Sequence, residues 1–167
     1  MIVLDTSSLV RVIVVDQEDD DAARFRGLLE RAKAGGIPIG IPAPVFAEFL
    51  VRTDDATVDM LAMFEKRQAV RILPFDKRAA HECALLDRAA LESGNKRHGA
   101  KDAWQKVKID RQIIAIARVH SAQLLLTSDA GLRALANRVG ITVQSVSELP
   151  IPEEAKQRPL DLPPRSE

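Results

Sequence analysis

Cysteine is almost missing from this chain of 167 residues: Cys83 stands alone. A single thiol excludes an internal disulfide and argues against a cysteine-based zinc site; its helical spacing with Ala79, Ala80 and Leu86 predicts a core position instead. A charge surplus is missing too. Twenty-four Lys and Arg offset 24 Asp and Glu, so no overall basic field announces a nucleic-acid binder, and any such role must rest on local charge. Long apolar runs are absent, and the first residues show neither the basic region nor the cleavage site of a secretory signal. The expected compartment is therefore the cytoplasm. His81, His98 and His120 have no ligand-like spacing, and the chain carries no internal repeat, P-loop or dinucleotide glycine fingerprint.

What the chain does have is an apolar first strand, Met1 to Leu4, that stops at Asp5 Thr6 Ser7 Ser8. Such a run predicts a buried central strand of a parallel sheet, with Asp5 at its carboxyl end, where ligands bind in open α/β folds. Further short strands are predicted at Ile37–Ile41, Val70–Phe75, Leu124–Thr127 and Ile141–Val146, with helical periodicity between them. A first helix is expected near Ser8–Val15. The acidic stretch Asp16–Asp21 opens a second, which Gly35 and Gly36 end. Another follows Pro42 and Pro44, one spans Ala56–Arg67, and one is capped by Asp76 and closed by Ser93 and Gly94. The length suits one domain over 1–149, able to bury about 70% of its unfolded surface. Residues 150–167 hold five of the nine prolines and read as an extended or disordered tail.

Three more acids attract notice. Glu48 interrupts the apolar run Val45 to Val51, and as a helix position it reads as a surface glutamate or as a site residue. Asp110 precedes the almost wholly apolar Ile113–Val119, where it serves either as that helix's N-cap or as a site residue. Asp129 follows the strand Leu124–Thr127 directly, repeating the arrangement at Asp5. In a sheet ordered 3-2-1-4-5 the Asp5 and Asp129 strands are neighbours, so Asp5, Glu48, Asp110 and Asp129 can converge. Carboxylates gathered in this way repel one another unless a divalent cation is bound, and all-oxygen ligands point to Mg²⁺ or Mn²⁺. Residues 96–111 hold six Lys or Arg against two Asp, a local surplus able to attract a phosphate backbone. Lys101, Trp104, Lys106 and Lys108 are its candidate RNA contacts, with Trp104 either stacking on a base or tucked against the body.

The segments Ile2–Ser7, Pro44–Leu50, Asp110–Ala117 and Leu125–Asp129, in this order, resemble the PIN domain, most closely the VapC toxins of bacterial toxin–antitoxin pairs. The resemblance runs from Met1 to about Val146. It implies a three-layer α/β/α fold around a parallel sheet of about five strands, and an acidic quartet of Asp5, Glu48, Asp110 and Asp129. Thr6, Ser7 and Thr127 would be hydroxyl supports of that quartet. The implied activity is Mg²⁺- or Mn²⁺-dependent hydrolysis of RNA to 5′-phosphate products, with an antitoxin partner and a homodimer. The basic stretch before Asp110 is longer than is usual, and Ala130 Gly131 stands where many members carry an acid and a Phe. A PIN-like nuclease of RNA maturation or decay without an antitoxin, or a non-catalytic binding module, are the alternatives. Ser7 stands where a haloacid-dehalogenase-like phosphatase needs its second Asp, and the acid and lysine pattern of a receiver domain is not evident.

Overall fold

The computed structural model describes residues 1–14, 19–52, 58–59, 61–62, 66, 70–94 and 103–156. Most of the helix expected over 56–67, the basic residues 96–101 and the tail beyond 156 lie outside the described residues. The strands are β1 (Ile2–Leu4), β2 (Ile39–Pro42), β3 (Val70–Leu73), β4 (Leu124–Leu126) and β5 (Thr142–Gln144). They form one parallel sheet ordered β3-β2-β1-β4-β5, flanked by helices. The order expected from sequence is the order found. β1 is central because it is apolar throughout: Ile2, Val3 and Leu4 are buried and pair with Ile39 and Gly40 on one side and with Leu124–Leu126 on the other. Gly40 is required at this crossing. A Cβ there would lie 2.5 Å from Leu73 Cδ1 and 2.9 Å from Met1 Sδ.

The helices are α1 (Thr6–Val14), α2 (Asp20–Ala34), α3 (Ala43–Arg52), α4 (Lys77–Glu92), α5 (Trp104–Val119), α6 (Ala130–Arg138) and the short α7 (Glu153–Lys156). Asp19, Asp76 and Asp129 cap α2, α4 and α6 by accepting backbone N–H bonds. No helix among the described residues is long and apolar enough to cross a membrane. Cys83 is half-buried against the core.

Several boundaries differ from expectation, each for a local reason. β2 starts at Ile39 rather than Ile37 because the Ile37 N–H turns back to Ala32 O at 2.8 Å, with Gly36 at φ 62° closing the end of α2. β5 is delayed in the same way: Gly140 has φ 76° and the Ile141 N–H bonds Ala136 O at 3.1 Å. β5 also ends early, where Ser145 and Glu148 form a capping box over the 3₁₀ turn Val146–Glu148. β3 stops at Leu73 because Pro74 has no N–H to continue the ladder. The largest departure is α5. Asp110 does not open it, since the helix begins at Trp104 and Asp110 lies well inside, so the N-cap role is excluded.

Candidate active site

Asp5 is the first residue past β1, and its N–H still bonds Leu126 O at 3.1 Å, which fixes it to the tip of the neighbouring strand. Its side chain is buried. Oδ1 accepts the Ser8 N–H at 2.9 Å, and the Ser7 hydroxyl lies 2.9 Å from Oδ1 and 3.1 Å from Oδ2. The Thr127 hydroxyl donates to Oδ2. These donors are all neutral. Burial pushes the Asp5 carboxyl above its ordinary value, against the lowering by hydrogen bonds from Thr127, Ser8 and Ser7. The same hydroxyls tie β4 to β1: Ser7 Oγ accepts the Ser128 N–H at 3.0 Å, and Thr127 Oγ1 accepts the Asp129 N–H at 2.9 Å.

The other three acids arrive from helices. Glu48, half-buried on α3, accepts the Thr6 hydroxyl at 2.7 Å. Asp110 projects from α5 and is buried. Asp129 caps α6 through its Oδ1, 2.8 Å from the Leu132 N, and its Oδ2 lies 2.7 Å from Lys106 Nζ. Burial raises the Asp129 carboxyl, but the Lys106 ammonium and the Leu132 and Gly131 N–H groups together hold it below its ordinary value. All four acids line one cleft of about 680 Å³, together with Thr6, Ser7 and Lys106. The cleft lies outside the carboxyl ends of β1 and β4, where the sheet order reverses. Among the described residues no three acids are close enough to hold an ion as they stand. Mutual repulsion spreads carboxylates apart in this way when no dication draws them in. The donor chemistry fits a hard cation, because the ionisable groups of the lining are four carboxylates and one ammonium, with no His or Cys.

The PIN domain family model matches residues 2–138. The chain belongs to the PIN domain family. Membership supports a nuclease. No curated protein matches the sequence. Among solved structures, the fold is similar to VapBC2 from Rickettsia felis bound to a DNA fragment from their promoter, with TM-score 0.59 and 19% identity over 87% of this chain and 98% of that one. It is also similar to DNA-bound VapBC from Salmonella typhimurium, with TM-score 0.55 and 16% identity over 87% of this chain and 97% of that one. At these identities the likeness is one of fold.

Within this PIN domain, α5 divides the candidate RNA contacts between faces. Lys106 shares a stripe with Asp110 and Ile113, all lining the cleft. Trp104 lies on another stripe, half-buried, with Lys108 Nζ 5.5 Å and the Arg111 guanidinium 5.4 Å from its ring centroid. Lys108 is exposed, and Lys101 lies outside the described residues. Sequence reasoning grouped Lys106 with the RNA contacts and missed its bond to Asp129. The signal for its place in the cleft was the four-residue spacing to Asp110.

Proposed function

We propose that this PIN domain is a metal-dependent endoribonuclease, the toxin of a toxin–antitoxin pair, acting in the cytoplasm with Mg²⁺ or Mn²⁺. The observation that carries this is one cleft fed with carboxylates from four separate parts of the chain: the tip of β1, α3, α5 and the cap of α6. Asp5, Glu48 and Asp110 are the residues to hold the cation, with Asp129 beside them. When bound, such an ion lowers the pKa of a coordinated water and offsets charge developing at phosphorus. The chain's own part is positioning. Ser7, Ser8 and Thr127 fix the Asp5 carboxylate, and Thr6 fixes that of Glu48, so the acids facing the phosphate keep their orientation as RNA enters. In-line attack by water gives products with a 5′-phosphate and a 3′-hydroxyl.

An antitoxin partner and a homodimer are part of the same proposal. Both solved neighbours carry the VapBC name. Large apolar side chains at the surface, including Val51 on α3 at 87% exposure and Ile72 on the edge strand β3, supply area for partner chains to cover. The test is purification of the chain with its operon neighbours, then RNA cleavage by the freed protein with and without EDTA. Cleavage that EDTA stops and that Asp5→Asn lacks is the expected result. An Asp5→Asn variant that cuts RNA as fast as the unaltered chain would overturn the proposal.

A further inference from the structure

We infer that Lys106 takes the place of a second divalent cation, so that the cleft binds one metal ion, at Asp5, Glu48 and Asp110, while the protein's own ammonium holds Asp129. The inference rests on the proposed nuclease function and deepens it by fixing its metal count.

Two-metal nuclease sites place their ions about 4 Å apart and share carboxylates between them. Here the two halves of the cleft are compensated differently. On one side Asp5 is buried and held by the neutral Ser7, Ser8 and Thr127 donors, and Glu48 is held by the neutral Thr6 hydroxyl. On the other, Asp129 has one oxygen on the α6 cap, 2.8 Å from Leu132 N, and the other 2.7 Å from Lys106 Nζ. A dication using Asp129 must displace that ammonium or sit against it, and like charges at such range repel strongly. The formal count agrees. Four carboxylates and Lys106 give the lining a charge of −3. One dication reduces this to about −1, whereas a second would make the site positive before the phosphate arrives. Lys106 is also placed for this by its own helix. It stands one turn before Asp110, so the element that brings one metal-binding acid brings the substitute cation along the same face. Lys106 is therefore a positioning residue, acting through Asp129.

The test is Mn²⁺ titration of the full chain by calorimetry, with the free Mn²⁺ followed by electron paramagnetic resonance. The unaltered chain is expected to take up one ion. Lys106→Gln is expected to take up two, with the first bound on the order of tenfold more tightly because a repelling charge has gone. Lys106→Arg, which keeps the charge, is expected to return the count to one. Thermal melting establishes that each variant is folded, and the count for the unaltered chain decides the matter even where a variant does not fold. Two ions in the unaltered chain, or one ion at unchanged affinity in folded Lys106→Gln, overturns the inference. Two ions together with EDTA-sensitive RNA cleavage overturns it and leaves the nuclease function standing; no ion and no cleavage overturns the function itself.

Discussion

Asp5 concentrates the conflict between stability and chemistry in one side chain. It is buried at 5% exposure with neutral partners, so burial penalises its charged form, and its carboxyl is raised from the ordinary value. In protein stripped of metal, Asp5→Asn should be more stable by about 1 kcal/mol, or about 3 °C in Tm for a chain of this size. The amide keeps an oxygen for the Ser8 N–H, and the Thr127 hydroxyl can rotate to accept instead of donate. RNA cleavage by the same variant should fall at least 100-fold. Differential scanning in EDTA beside a cleavage assay checks both, and a Tm lowered by several degrees would count against the burial argument. Asp5 was legible in the sequence because an acid ending an apolar strand has few other places to go. The Lys106 to Asp129 bond was not. It joins residues 23 apart, and depends on how α5 crosses the sheet, which periodicity does not encode.

At the scale of elements, α5 holds the site in place and α4 holds α5. The two helices pack along each other, with Arg111, 1% exposed, paired to Asp87 and Arg118 2.6 Å from Glu82. The Arg111 pair is unequal, since the Asp87 side chain is 42% exposed. Removing Asp87 strands a buried charge, whereas removing Arg111 leaves an acid that water can solvate. Asp87→Ala should therefore cost about 2 kcal/mol, Arg111→Met less than half of that, and urea melts of the two compare them directly. A larger loss in Arg111→Met would mean that packing of the guanidinium stem matters more than its charge. The start of α5 was misjudged from sequence because Gln105, Lys106 and Lys108 are good helix formers that carry the helix upstream of its apolar core stretch. The capping box after β5 offers a pH test. Hydrogen bonds from Arg133, then from the Ser145 N–H, hold the Glu148 carboxyl below its ordinary 4.5. Its folded value is the depressed one, so its contribution is complete above the unfolded value and is lost as pH falls through the folded value. Glu148→Gln should flatten the acid limb of the stability curve below about pH 4.5 and leave the neutral region parallel to the unaltered chain. Two curves parallel throughout would remove the pair from the account.

For the molecule as a whole, the sheet order was legible because each short apolar run lies between helical stretches, and the PIN resemblance supplied the order in which those runs stack. The cleft was legible only as a set of acids; its partition between a compensated and an uncompensated side needed the packed structure. That partition links metal binding to the stability of the entire fold. Overall charge is balanced at 24 against 24, but the cleft lining is locally acidic, and this strain falls on the tips of β1 and β4, which hold the centre of the sheet. A ligand that binds the folded chain alone stabilises it by RT ln(1 + [L]/Kd), about 2.7 kcal/mol at a hundredfold excess over Kd. Saturating Mn²⁺ should therefore raise the Tm of the unaltered chain by about 8 °C. The same addition should move Asp5→Asn by less than half as much. The relief acts through specific carboxylates, so NaCl at equal ionic strength should not reproduce it. Equal shifts in the two proteins, or an equal shift with NaCl, would show that the ion acts by general screening and not in the cleft.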